Sequence, residues 1–415
     1  MTKLIGITQP TPVDWKLTEL GWIFTLAIFF LGASAALLGR WVEEGGPRRA
    51  MFAAALCWAG GFFLSAVGVY LHNLWVIYLG YGILGGIALG IGYISPVSTL
   101  IKWFPDRPGM ATGMAIMGFG GGAFIASPLS VWLMAQFSTP THVGVAETFI
   151  ALGLIYLCFM MVGATLVRVP PEGWAPAGYI PPAQPKRLIT TQNVFVYEAL
   201  KTPQFWLIWW VLCLNVTAGI GVLGQASAMS QEMFRGQITA VAASGLVGLF
   251  SLFNMAGRFF WSSTSDYIGR KNTYFVFFAL GTVLYALVPY TGSIGSVVLF
   301  VLCYAVIFSM YGGGFATVPA YLRDMFGTRY VGAIHGLLLT AWSMAGIFGP
   351  VLVNYIREYN VAHGVPAAQA YNTTMYLMAA LLVIGFICNA FVKAVDARHH
   401  MKTSQTVKDA LVAGE

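Results

Sequence analysis

Eleven apolar stretches divide this chain, near 18–41, 49–71, 74–101, 107–137, 147–168, 204–228, 237–263, 271–292, 294–322, 330–356 and 371–393. Each has about the 20 residues that carry an α-helix across a hydrocarbon core. They predict an all-α integral membrane protein whose solvent is the lipid bilayer. Composition agrees, since 58% of the residues are hydrophobic and only 9% charged, against roughly 25% charged in soluble domains. The 48 glycines suit helices that pack backbone to backbone. Gly118, Gly120, Gly121 and Gly122 are one such cluster.

A charged loop motif occurs twice between these stretches. The first copy holds Gly39, Glu43, Gly46, Arg48 and Arg49, the second Ser262, Asp266, Gly269, Arg270 and Lys271; a shift of 223 residues carries Gly46 onto Gly269. Allowing one inserted residue, Trp103, Phe104, Arg107 and Gly113 are echoed by Met325, Phe326, Arg329 and Gly336. The chain therefore reads as a duplicated membrane bundle. Its expected units are an N-terminal half of five spans (1–168), a Pro-rich linker (169–203), a C-terminal half of six spans (204–393) and a polar tail (394–415). Residues 194–203 are expected to form a short interfacial helix leading into an aromatic belt of Phe205, Trp206, Trp209 and Trp210. The motif precedes the second span of the first half but the third span of the second. One further helix is thus expected ahead of Met1, which would then be an internal methionine; a native eleven-span protein is the alternative.

Charge sets the orientation. Seventeen of the 22 Lys and Arg fall on one side of the spans, Lys3, Lys16, Arg235 and Arg357 on the other, and Arg258 inside one. Cytoplasmic loops retain basic residues, so a cell (plasma or inner) membrane protein with a cytoplasmic C-terminus is expected. Dispersal over loops also accounts for the pI of about 9.1 without any nucleic-acid partner. The segment before Gly21 carries Pro10, Pro12, Asp14, Lys16 and Glu19, which is not the apolar run of a cleavable signal peptide.

Several chemistries are excluded. Cys57, Cys158, Cys213, Cys303 and Cys388 stand one to a helix without pairing or metal-ligand spacing and read as small packing residues. Gly312, Gly313 and Gly314 neither follow a strand nor open a nucleotide-binding unit. No cofactor, metal or ATP-driven step is expected. Nucleophiles, bases and ligands do not converge, so neither is an enzyme.

Arg258 breaks the apolar rule. An arginine within a span costs about 3 kcal/mol on insertion scales and usually faces a cavity. All 15 acids lie at span ends or in loops, Asp266 being nearest along the helix at about two turns. Two readings fit: a guanidinium that grips a planar anion such as a carboxylate, or one that snorkels to the cytoplasmic end and bonds Asp266 or carbonyls. Tyr93, Tyr311 and Phe315 are candidates for the aromatic walls of such a cavity, with plain packing as the alternative for each. His335 is the intramembrane group whose ordinary pKa lies near neutrality and which could carry a coupled proton; a satisfied polar residue near a helix end is the competing reading.

The repeated loop, G-x-x-x-[DE]-x-x-G followed by a basic pair, resembles the signature of the major facilitator superfamily, with Glu43 for the usual Asp and Ser262 for the usual Gly. The resemblance implies a major facilitator fold of two six-helix halves, the first helix lacking here, and a latch in which the acid bonds neighbouring helix N-termini and arginines when the cytoplasmic side is shut. The runs from Lys102 to Gly113, Tyr311 to Gly327 and Leu337 to Pro350 resemble the oxalate/formate antiporter family. That family implies transport of small carboxylates by alternating access, with the arginine corresponding to Arg258 as the carboxylate clamp. Members that handle oxalate carry a lysine where this chain has Trp342, and related monocarboxylate transporters carry an Asp where it has Asn254. One fixed cation matches one negative charge, so a monocarboxylate such as formate, lactate or pyruvate is expected, moved by a monomer. The alternatives are an oxalate/formate-type exchanger and a carboxylate sensor.

Overall fold

The computed structural model describes Trp15 and residues 17–140, 142–171, 174–179, 188–190 and 192–401. Met1, Lys3, Lys16, Lys186, Arg187, Lys402 and Lys408, on which parts of the start, linker, tail and charge-bias expectations rest, lie outside these residues.

Among the described residues, ten helical segments are long and apolar enough to cross a membrane. In the first half they are α1 (Leu17–Gly45), α2 (Pro47–Tyr70), the span Leu74–Trp103, α5 (Pro108–Phe137) and α6 (Val145–Leu166). Leu74–Trp103 is α3 (Leu74–Ile77), a π-helical stretch Tyr78–Gly85, and α4 (Gly86–Trp103). The short α7 (Val196–Ala199) leads to α8 (Pro203–Leu223) and α9 (Ala226–Met233). Then come α10 (Ala240–Ile268), α11 (Arg270–Ser293), α12 (Val297–Phe326), α13 (Val331–Leu338), α14 (Thr340–Ala362) and α15 (Asn372–Phe391). The 29-residue α10 is as long as the spans but falls outside the ten. It carries Asn254, Arg258 and the polar end Ser262–Asp266, so the expected eleven spans become ten apolar ones plus this helix.

Two expectations need correction, and one span carries an irregularity. The interfacial helix is only Val196–Ala199, after which Thr202 caps α8 by accepting from the Phe205 N–H at 3.3 Å. The span expected at 330–356 is present as Val331–Ala362, with its regular helix interrupted at Leu339, whose N–H donates to the His335 and Gly336 carbonyls. Residues expected to extend the sixth span past Leu223 form the separate α9.

The repeat is visible in backbone geometry. Gly46 and Gly269 have φ of +78° and +88°, a region glycine enters without penalty, and each lets one span turn directly into the next. Across the halves, α1 packs on α13 and α14, while α5 packs on α10. Both seams depend on small residues: a Cβ on Gly113 would stand 2.8 Å from the Arg258 carbonyl oxygen, and one on Gly336 2.9 Å from the Ala35 carbonyl carbon. Side chains stitch them, Thr112 donating to the Ala316 carbonyl at 2.6 Å and Ser343 to the Ile28 carbonyl at 2.9 Å.

The halves differ around α8. In the C-terminal half α8 sits against α12, α14 and α15, and most of its residues are buried. The 223-residue shift maps those three neighbours onto α4, α5 and α6. There, among the described residues, lies an apolar groove of about 260 Å³ lined by Trp58, Leu89, Tyr93, Ile116, Phe119 and Met160 among others.

Candidate functional site

The site is built around Arg258, which α10 places at the seam between the halves with 2% of its surface exposed. Its Nε donates to Asn254 Oδ1 at 3.1 Å, one turn earlier on the same helix, and its Nη1 to the Ile116 carbonyl of α5 at 3.3 Å. No carboxylate pairs with it among the described residues. Asp266 is committed elsewhere, so of the competing reading, a bond to Asp266 or to carbonyls, the contact seen is the one to a carbonyl, that of Ile116. Instead the guanidinium lies over two rings, 5.5 Å from the Phe119 centroid and 5.4 Å from that of Phe315. Such cation–π contacts offset part of the burial of the charge without neutralising it.

The rings continue as a cage. Trp342 lies 4.4 Å from Phe315, 5.4 Å from Phe119 and 5.6 Å from Tyr93, and Tyr93 lies 5.8 Å from His335. Tyr311 meets Phe315 edge-on at 5.3 Å. All the expected site residues, Arg258, Asn254, Tyr93, Tyr311, Phe315, His335 and Trp342, are thus brought together. Asn254 acts on Arg258, holding its Nε. His335 is not the satisfied residue of the competing reading: neither ring nitrogen has a hydrogen-bond partner among the described residues.

The cage follows the repeat. The shift that carries Gly46 onto Gly269 carries Phe119 onto Trp342, and the shift of 222 that carries Trp103 onto Met325 carries Tyr93 onto Phe315. The charge does not, since Ala35 stands where the repeat would place a partner for Arg258. Space for the long side chain comes from glycines: a Cβ on Gly120 would lie 2.6 Å from Arg258 Nε, and one on Gly312 would lie 2.5 Å from Asn254 Oδ1.

The duplicated motif lies on the face that carries the basic loops. Asp266 accepts from the Gly109 and Met110 N–H groups, both at 2.9 Å, at the start of α5 in the other half. Glu43 mirrors it, accepting from the Gly332 N–H at 3.1 Å at the start of α13 and from Lys102. Helix N-termini present free N–H groups and partial positive charge, so both contacts are favourable for an anion. Asp266 also meets an arginine as expected, and the motif's basic residues bind within their own half. Arg48 donates to the Thr165 and Val167 carbonyls at the end of α6 (2.6 and 3.3 Å), and Lys271 to those of Ala390 and Val392 at the end of α15 (both 2.8 Å). Arg49 covers the Trp41 ring at 5.1 Å. Arg270 binds Asp266 at 2.6 Å and Asp324 at 3.2 Å; Pro47 occupies its place in the first copy.

Sequence reasoning missed four participants. Phe119 was available by applying the repeat shift to Trp342. Lys102 and Asp324 each sit in one of the runs that carry the family resemblance. Arg323, which donates to the Pro105 carbonyl across the seam at 3.2 Å, sits beside Asp324 in the same run.

Comparison with known proteins gives the family and the fold. The Major Facilitator Superfamily profile matches residues 3–350. The chain is 32% identical over 329 residues to the oxalate:formate antiporter of Oxalobacter formigenes, covering 79% of this chain and 73% of that one. It is 26% identical over 360 residues to monocarboxylate transporter 11 of Homo sapiens, covering 83% and 70%. Among solved structures, the transporter FucP in the outward conformation superposes with a TM-score of 0.66 over 92% of each chain at 15% identity.

Gly120→Ala is expected to push Arg258 off its place and lower the midpoint of thermal unfolding by several degrees. Gly118→Ala, whose Cβ would meet nothing within 4 Å, is expected to leave it within about a degree. Equal effects of the two would contradict the packing argument.

Proposed function

Because the chain belongs to the major facilitator superfamily, among the relatives of the oxalate:formate antiporter, we propose that it carries small monocarboxylates across the membrane by alternating access, with Arg258 clamping the carboxylate. It is a membrane transporter of the major facilitator type, and its relatives are named for oxalate, formate and monocarboxylate transport. The observation that carries the finer reading is a buried guanidinium with no acid beside it, set among aromatic rings at the seam of the two halves. In low dielectric such a charge is costly until an anion neutralises it. A carboxylate offers two oxygens to the planar fork, and the Ile116 carbonyl that now takes Nη1 is a neutral acceptor a carboxylate would replace. Trp342 stands where oxalate-handling relatives have a lysine, so one fixed cation balances one substrate charge. That favours formate, lactate, pyruvate or a similar acid over the oxalate dianion.

Alternating access needs a closure that can break. Taking the basic face as cytoplasmic, Glu43 and Asp266 are latches of the inward gate: each is a carboxylate of one half seated on a helix start of the other. Charge-assisted contacts of this kind contribute about 1.5–3 kcal/mol each, enough to bias a two-state equilibrium and small enough to be reversed by substrate.

Two measurements test this reading. In proteoliposomes preloaded with unlabelled acid, labelled formate and lactate are expected to enter by exchange, oxalate far more slowly, and Arg258→Gln to reduce exchange at least a hundredfold. Oxalate entry with comparable affinity, or an indifferent mutant, would contradict it. For the latches, Asp266→Asn with Glu43→Gln is expected to add a longer component to the electron-resonance distance distribution between spin labels at Arg107 and Thr328. An unchanged distribution would remove them from the gate.

A further inference from the structure

His335 is a buried polar residue that the clamp does not use. It is 1% exposed, and neither ring nitrogen has a hydrogen-bond partner among the described residues. On α13 it follows Gly332, whose N–H the Glu43 latch grips, by one turn, and precedes Trp342 of the cage by two, across the interruption at Leu339. It therefore stands between cage and latch. From the other half α4 presents Tyr93, its ring 5.8 Å from His335, then Ser98, whose Oγ would lie 3.1 Å from a Cβ on Gly332, then Lys102 on Glu43. Of these, Ser98 donates to the Ser95 carbonyl and Lys102 to Glu43, so neither has the idle polar atoms of His335.

The repeat shows what this position does when its role is structural. The shift that carries Gly113 onto Gly336 carries Thr112 onto His335. Thr112 is fully buried and stitches its seam, donating to the Ala316 carbonyl of the other half at 2.6 Å. His335 makes no such bond. A buried polar atom without a partner lowers stability, and native interiors keep few of them without a purpose. A neutral imidazole offers one N–H donor and one lone pair, and both are unused while the seam is shut.

We propose that His335 is a second contact for the substrate carboxylate, on the basic-face side of the cage, that takes the anion over from Arg258 as the inward gate opens. The inference rests on the transport reading, with Arg258 as the first contact, and adds the next residue on the route. For substrate to leave toward the basic face, α13 must part from α4 along the line of contacts from Tyr93 to Lys102. The imidazole N–H is then a donor for a carboxylate oxygen, a charge-assisted bond that the closed seam does not supply. That bond stabilises the anion after it has left the guanidinium.

The test sets labelled lactate exchange in proteoliposomes beside thermal unfolding, for the wild type, His335→Leu and His335→Gln. His335→Leu is expected to lower exchange at least tenfold while its unfolding midpoint stays level or rises, because an apolar side chain removes an unpaired group from the closed seam. Glutamine, which restores a donor and an acceptor, is expected to bring exchange back to within about threefold of wild type. Undiminished exchange in the leucine variant, or a loss that glutamine does not recover, overturns the proposal while leaving the transport reading in place. A midpoint that falls in the leucine variant makes His335 a packing residue and overturns it as well. Wild-type protein that exchanges no short acid removes the transport reading, and this inference with it.

Discussion

A positive charge that the protein itself does not neutralise governs this structure. Arg258 lies in the middle of a helix that otherwise reads as a span, and the acids that could have met it are held at the basic face, Asp266 by Arg270 and the start of α5. The guanidinium is left with an amide oxygen, a backbone carbonyl and two aromatic faces. Those contacts hold its direction without cancelling its charge. At two places in the tight seams, Gly120 of α5 and Gly312 of α12, the missing Cβ leaves room for the Arg258 side chain, and elsewhere the glycines let backbones approach, as Gly257 does against Ser309.

The repeat supplies the frame and its violations supply the chemistry. Two charged loops of one design place an acid against a helix start of the opposite half, and a base against the last carbonyls of their own half. That arrangement is symmetric, as a duplicated bundle leads one to expect. The cage is symmetric in its rings as well. Asymmetry enters with Arg258 against Ala35, and with the polar atoms of Tyr93 and Trp342 against the plain rings of Phe315 and Phe119.

Much of this was legible in the sequence, for local reasons. Crossing lipid demands an unbroken apolar run, so the spans can be placed to within a few residues, and a lone arginine in such a run announces itself. The departures lie where the pattern is silent. The π-helical stretch Tyr78–Gly85 and the break at Leu339 leave apolar runs unbroken, so no periodicity marks them. The partners of Arg48 and Lys271 are backbone carbonyls, which have no sequence signature. Treating the basic pairs as equivalent concealed that Pro47 aligns with Arg270, and with it the reason only one copy pairs its acid with its own arginine. Phe119 would have emerged with Trp342 had the repeat been applied to the aromatic residues as well as to the charged ones.

The central claim is most directly tested by an experimental structure with lactate bound. The account predicts a carboxylate oxygen within about 3 Å of an Arg258 Nη atom, with the bond to the Ile116 carbonyl given up or lengthened. Lactate bound elsewhere, with Arg258 still donating to Ile116 and Asn254, would contradict it.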